Sequence, residues 1–300
     1  LQRPHGGMNE GIAAQIVSQH LTGEWCTSTV DSFGNIIVRV GAADNGLWFT
    51  AHLDTVHRQD ARQSVVMLAD SDMLVADDAD GKPCVLGADD AAGVYLLTEM
   101  IRAGKPGNYA FFLGEEVGGL GSSDFIRRNQ NLSASMCVSF DRRGYNDVIT
   151  HQGWGRTASD EFARALSSAL NETGFGFQYK PCDTGVYTDS KEFAGIVPEC
   201  TNISVGYFDE HTTRERLDLE HLLALRDAVL AIDWTLLPIK RVPAAEDDDW
   251  LSGWNRGIPD TPAPYVAIGD RCTELLEAHW SSMPDDVREF LCELEEILNG

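Results

Sequence analysis

Three hundred residues, 43 % of them hydrophobic and 9 % aromatic, describe a globular chain with room for one α/β domain of about 240 residues and an appendage. A formal net charge of −24, from 23 Lys and Arg against 47 Asp and Glu, argues against a nucleic-acid role and favours cationic partners, whether metal ions or free amines. No apolar run nears the roughly 20 residues of a membrane span.

No charged n-region followed by an apolar core opens the sequence, so no secretory signal is expected. The seven cysteines are scattered and form no Cys-x-x-Cys pair, which predicts no disulfide framework and a reducing cytoplasm. Residues 8–21 carry apolar side chains at helical spacing and end near Gly23, predicting a first helix. Residues 35–40 and 47–51 read as strands separated by the turn-forming Asp44-Asn45-Gly46. Residues 64–69 and 73–76 predict a short strand pair on the same sheet or at its rim. A helix over 90–103 is closed by Gly104 and Pro106, and 109–113 is a continuous apolar run, as expected of a strand covered on both faces. Residues 121–128 read as helix, 136–140 as a buried strand, 158–170 as an amphipathic helix, 200–205 as a strand and 219–236 as a long helix. Strands alternating with helices predict an α/β fold, a three-layer sandwich around a central, mostly parallel mixed sheet.

Composition changes at 238–264, where Pro, Gly, Trp and the acidic run 246–249 dominate. This stretch reads as a linker or wrapping arm, with the acidic run a solvated tether. Two acidic amphipathic helices, at about 267–279 and 285–298, would follow and either pack on the core or build an oligomer contact.

Five short segments carry metal-ligand side chains, and four of them directly follow an apolar run short enough to be a buried strand. They are Ala51-His52-Leu53-Asp54, Ala88-Asp89-Asp90, Gly114-Glu115-Glu116, Phe140-Asp141 and Glu210-His211. Ligand sites in open α/β sheets gather at the carboxyl ends of strands. His52 and Asp54, two apart at a strand end, project to one face, and Asp54 is placed to orient the imidazole. A lone histidine after a strand is more often structural, but the His-x-Asp spacing and the other four segments reverse that expectation. His57 lacks such support and reads as a loop residue. Asp89 and Asp90 precede a helix; a single Asp would serve as cap, and the pair suggests that Asp90 caps while Asp89 bridges two cations. Two adjacent carboxylates at a buried strand end need cations or a shared proton, so Glu116 would coordinate while Glu115 takes a proton from water. Asp141 supplies a third ligand carboxylate and His211 a second imidazole. Three carboxylates and a bridging hydroxide balance two divalent cations, a pair about 3.5–4 Å apart suited to hydrolysis. Mixed His and carboxylate donors fit zinc, cobalt or manganese. Neither Gly-x-Ser-x-Gly nor a Walker A or Gly-x-Gly-x-x-Gly motif competes.

The five segments, in this order, resemble the di-zinc exopeptidases that share the aminopeptidase and peptidase T scaffold. The resemblance covers about His52 to His211. It implies metal ligands His52, Asp89, Glu116, Asp141 and His211, with Asp89 as the bridge and a cis Asp89–Asp90 peptide. It also implies Glu115 as general base and Asp54 as the residue that orients His52. Residues 1–240 would form the metallopeptidase domain and 241–300 the acidic linker and helical extension. Three stretches, Arg3-Pro-His-Gly-Gly7, Phe140-Asp-Arg-Arg-Gly144 and 198–206, are similar to uncharacterised peptidases of this superfamily, some encoded by bacteriophages. Carboxypeptidase-like relatives insert a lid domain between the fourth and fifth ligands. Here only about 70 residues separate Asp141 from His211, too few for one.

The favoured expectation is therefore an aminopeptidase acting on short peptides, as a monomer or homo-oligomer, with no nucleic-acid or membrane partner. Arg142, Asp183, Tyr187 and Asp189 are candidate substrate contacts, each of which could equally be an ordinary loop residue. Two alternatives stay open: the same metals cleaving another amide, in an N-acyl amino acid or a cell-wall peptide, and a degenerate fold kept as a binding or assembly module.

Overall fold

The computed structural model describes residues 1–21, 26–41, 46–69, 71–153 and 155–243. Helix α1 (Met8–His20) precedes strands β1 (Cys26–Val30), β2 (Ile36–Val40) and β3 (Leu47–His52). Strands β4 (Ser64–Met67), β5 (Met73–Asp77) and β6 (Pro83–Cys84) lead into α2 (Ala88–Arg102), followed by β7 (Gly107–Phe112), α3 (Leu120–Arg128) and β8 (Met136–Arg142). Three short strands follow, β9 (Asp147–Ile149), β10 (His151–Gln152) and β11 (Gly155–Arg156), then α4 (Asp160–Asn171) and β12 (Lys180–Cys182). The remaining elements are α5 (Asp189–Phe193), β13 (Glu199–Ser204), β14 (Tyr207–Phe208), β15 (Arg216–Asp218) and α6 (Leu219–Ala231).

Eight strands form one sheet in the order β1-β2-β7-β3-β8-β13-β9-β12. The four central strands, β7, β3, β8 and β13, run parallel, while β2 and β9 join antiparallel on either side. β3, β7 and β13 are buried at every position, as strands covered on both faces must be. Successive side chains along a strand serve opposite faces. Phe49 accordingly packs with Tyr109, Val138 and the inner faces of α2, α4 and α6. Its neighbour Trp48 packs on the other side with Phe112, Phe125 of α3 and Phe193 of α5. The result is the expected three-layer sandwich with a mixed sheet, parallel at its centre. Phe49 stacks on Tyr109 at a centroid distance of 5.2 Å and meets Trp234 edge-on at 5.0 Å. Burying each such ring contributes about 1.5–3 kcal/mol and sets the sheet's position between the helices.

The expected hairpin over 64–69 and 73–76 forms as β4 and β5 but lies in a second sheet, ordered β14-β15-β5-β4 with β6 beside β5. On the side away from β4, β5 pairs with β15, which sets Leu217 opposite Leu74 across more than a hundred residues. Strand β1 carries no apolar run, only an alternating edge-strand pattern, and its pairing with β2 was not anticipated. The helix expected over 219–236 stops at Ala231, because Asp233 accepts a hydrogen bond from Thr235 N at 3.1 Å and opens a separate 3-10 turn, Trp234–Leu236.

Between Asp141 and His211 the chain builds only short strands and helices of these layers, and the described residues include no lid domain. The end of the described chain is latched to the sheet through Glu199. Its fully buried carboxylate accepts from Ser159 N and Oγ (2.7 and 2.9 Å) and from Lys240 N and Arg241 N (2.7 and 3.0 Å). The Arg241 guanidinium donates to the carbonyls of Ala194, Val197 and Pro198. The expected acidic tether and both C-terminal helices lie outside the described residues. No helix among the described residues is long and apolar enough to cross a membrane.

Candidate metal centre

Adjacent parallel strands deliver four of the singled-out side chains to one edge of the sheet. His52 ends β3, Glu115 and Glu116 follow β7, and Asp141 lies near the end of β8. Asp89 opens α2, and His211 lies in the turn after β14. That turn holds Asp209 and His211 in the left-handed region, at φ 54° and 63°, a conformation that few non-glycine residues adopt and that concentrates at functional sites. Arg216 pairs with Asp209 and lies over the Phe208 ring, 5.2 Å from its centroid, fixing the turn.

The geometry around Asp89 organises the centre. Its Oδ1 lies 3.0 Å from His52 Nε2, and its Oδ2 lies 3.2 Å from His211 Nε2. Asp141 Oδ1 is 3.6 Å from the same nitrogen of His52, and Glu116 Oε2 is 3.1 Å from that of His211. One carboxylate therefore faces both imidazoles, and each imidazole has a further carboxylate of its own. The Asp89–Asp90 peptide is cis. His52, Asp89 and Glu116 offer ligand atoms within 4.8 Å of one another, as do His52, Asp90 and Asp141.

Each of these residues is held from behind. Nδ1 of His52 lies 3.1 Å from the main-chain oxygen of Asp54. A carbonyl can only accept, so that bond occupies the Nδ1 proton and leaves Nε2 as the ring atom facing Asp89 and Asp141. The carboxylate of Asp54 stands 3.6 Å from the same Nδ1 and has further partners. Its oxygens accept from the main-chain N–H of Gly114, Glu115 and Glu116 at 2.9, 3.1 and 3.1 Å. Asp54 thus braces the glutamate turn with its side chain and His52 with its main chain. Asp90 caps α2 by accepting from Gly93 N at 2.9 Å and reaches His52 N at 3.2 Å. A Cβ at position 93 would come within 2.6 Å of Phe140 O, so only glycine fits there.

Several supporting residues carry no sequence signal. Glu215 accepts from Gly87 N and Asp89 N at 2.9 and 3.1 Å, holding the Asp89 segment from 126 residues away. Thr188 and Tyr207 donate their hydroxyls to the two oxygens of Asp141, at 2.7 and 3.1 Å. The only local hint of Glu215 is an acidic residue four positions after His211.

The centre opens into a cavity of about 340 Å³ whose lining includes Asp89, Glu115, Glu116, Asp141, Glu210 and His211. Of the four candidate substrate contacts, Arg142 and Tyr187 line this cavity, while Asp183 and Asp189 do not. Asp183 is exposed on its loop, and Asp189 is buried in the first turn of α5 with Oδ1 lacking a hydrogen-bond partner. Arg142 is paired with Asp147 at 3.1 Å, and Arg143 with Glu210 at 3.3 Å.

So many buried acids change one another's ionisation. Burial pushes the Glu115 carboxyl up to about 10; His52 opposes this, while Asp141, Asp189 and Asp89 add to it. Burial and the Asp89 charge push Asp141 up to about 6. Burial works to raise Asp89 as well, but hydrogen bonds from His211 and His52 hold it well below the usual carboxylate range. Asp89 and Glu116 push His211 up to about 11. The cluster therefore gathers positive charge wherever a group can carry it, and Oε1 of Glu116 is buried without a hydrogen-bond partner. Imidazole and carboxylate donors in this arrangement, with an orphaned carboxylate oxygen among them, fit divalent cations of the zinc, cobalt or manganese type.

A sequence profile described as peptidase family M28 matches residues 35–215, which span all of these side chains. No curated protein sequence matches significantly. Among solved structures, a tripeptidase from Staphylococcus aureus superposes with a TM-score of 0.62 at 15 % identity, covering 76 % of this chain and 93 % of that one. The TET1 peptidase of Pyrococcus horikoshii gives 0.60 at 15 % identity over 77 % and 95 % of the two chains. The aminopeptidase PepT of Bacillus cereus gives 0.57 at 16 % identity over 76 % and 93 %. At such identities these likenesses speak for the fold.

Proposed function

The chain belongs to peptidase family M28 and is a metallopeptidase, and from that premise we propose that it is a two-cation aminopeptidase acting on short peptides. His52, Asp89 and Asp141 would hold one cation, and His211, Asp89 and Glu116 the other, zinc being the first choice for this family and donor set. The observation that carries this reading is the pair of contacts made by Asp89, one oxygen to each imidazole, at 3.0 and 3.2 Å. Bound there, the cations would polarise a scissile carbonyl and make water a stronger acid.

The protein's own groups supply the rest. Glu115 takes a proton from the attacking water and hands it to the leaving amine nitrogen, from a turn that the Asp54 carboxylate keeps fixed. Acidic lining around the centre favours a substrate that brings a free amine. Arg142 and Arg143 are each neutralised by a carboxylate, which weakens the reading of an N-acyl amino acid held by its carboxyl group. The described cysteines are free thiols, which supports a reducing, cytoplasmic setting. A homo-oligomer fits the same reading. Among the described residues β4 pairs only with β5, and it exposes Val65, Val66 and Met67, with Leu68 beside them, an apolar strand edge that invites pairing with another copy.

Chelation tests the proposal. Protein stripped by a strong chelator should lose peptidase activity and regain it on addition of zinc, cobalt or manganese. Di- and tripeptides with a free amine should be cleaved and their N-acetylated forms spared. Preference for the acetylated forms would replace the aminopeptidase by an amide hydrolase of another kind. Undiminished cleavage by a preparation shown to be metal-free would end the metal-dependent reading.

A further inference from the structure

The N-terminal stretch Arg3-Pro-His-Gly-Gly7 plays no part in the chemistry above, yet the chain folds it directly behind the centre. Arg3 N donates to Thr55 Oγ1 at 3.1 Å, and Thr55 N donates to Arg3 O at 2.8 Å, so the segment runs beside the end of β3. Its anchoring does not depend on the arginine side chain. Gln2 N donates to Ala61 O at 3.0 Å, Asn9 Nδ2 donates to Gln2 O at 2.9 Å, and Met8 N and Asn9 N donate to Asp60 at 2.7 and 2.8 Å.

The guanidinium reaches further in. Nε donates to Leu53 O at 2.7 Å, the residue between His52 and Asp54. Nη2 donates to Gly87 O at 3.3 Å, two residues before Asp89. One planar group thus ties together the two segments that carry His52 and Asp89, whose facing atoms lie 3.0 Å apart. Asp90, Asp54, Glu215 and Asp89 all act on its charge. The Gly87 segment is gripped from other sides by Glu215 and by Gln63, whose Nε2 donates to Leu86 O at 2.6 Å. Arg3 therefore links a segment that is already rigid to the end of β3.

We infer that Arg3 is a positioning residue for the metal centre: its fork sets the approach of the Asp89 segment to His52. The inference rests on the two-cation reading. A lysine could keep the charge but has no rigid fork for two carbonyls at once, whereas methionine keeps the volume and neither property.

The test uses the full chain as wild type, Arg3→Met and Arg3→Lys. Zinc stoichiometry and affinity are read by competition with a chromogenic chelator, kcat and KM on a dipeptide, and folding by thermal melting. Arg3→Met should fold and bind zinc about 10–100-fold more weakly, the usual effect of removing a group that orients a ligand. Its loss in turnover should appear in kcat rather than KM, and Arg3→Lys should recover only part of both. If Arg3→Met does not fold, Arg3→Lys against wild type decides by the same measurements. A wild type that binds no zinc would sink the two-cation reading itself. A wild type that binds two zinc ions, with folded Arg3 variants binding two just as tightly, would overturn the Arg3 inference alone.

Discussion

Glu115→Gln is expected to hold two cations per chain, as the wild type should, while kcat falls by about 10²–10⁴-fold. The substitution changes one ionisable oxygen and leaves the length of the side chain intact. The turn beneath it is fixed by Asp54, which accepts from the main-chain N–H of Gly114, Glu115 and Glu116, and none of those bonds involves the Glu115 carboxyl. Burial pushes that carboxyl up to about 10, and a base works only when deprotonated. The rate should therefore rise with pH as Glu115 loses its proton. Divalent cations on its neighbours pull the pKa down and move that limb toward neutrality. The wild-type profile of kcat/KM against pH should show the acid limb, and Glu115→Gln should lack it. Metal content by elemental analysis and the two pH profiles check this. Wild-type turnover in Glu115→Gln would remove Glu115 as the base, and loss of metal together with rate would make it a ligand instead.

Asp89→Asn is expected to be worse, with activity below that of Glu115→Gln and fewer than two cations per chain. Asn has the shape of Asp, but one of its two terminal atoms becomes an amide NH2, which cannot coordinate. Whichever way the amide turns, either His52 or His211 loses the carboxylate oxygen that faces it. The loss should exceed the about 10–100-fold that follows from removing a supporting partner such as Glu215. The main-chain bonds from Gly87 and Asp89 to Glu215 survive the change, so the variant should still fold. Metal titration with thermal melting measures both. Two tightly held ions in Asp89→Asn would show that this residue does not bridge.

The convergence of His52, Glu115, Glu116 and Asp141 was legible because strand ends are legible, whereas Asp89 and His211 come to them from a helix start and from a turn of the second sheet. Runs such as those ending at Phe112 and Phe140 are too short for helices and read as buried strands, and polar residues just beyond parallel neighbours gather at the sheet's edge. The sandwich and its parallel centre followed from the same runs. What remained hidden is non-local. Nothing near Glu215 says that it will hold Asp89, and nothing near Arg3 says that it will lie under His52, since those partners are 126 and about 50 residues away in the chain. Spacing suggested that the Asp54 side chain orients His52, and its carboxylate does stand 3.6 Å from Nδ1. That it also serves three amides of a turn 60 residues on is something no pattern around His52 reveals. The candidate contacts divided for the same reason. Whether a loop residue such as Arg142 or Asp183 reaches the cavity depends on how the loop folds over the sheet rather than on its composition.

The Glu199 latch bears on how far the protein can be trimmed. Any shortened version made for crystallisation or engineering has to run through residue 241. Stopping at 239 would strip Glu199 of two of its four donors and leave the carbonyls of Ala194, Val197 and Pro198 without the guanidinium that satisfies them. Buried acceptors abandoned in this way cost about 1–3 kcal/mol each. A form ending at 239 should therefore melt well below one ending at 243, even though both keep every residue of the metal centre.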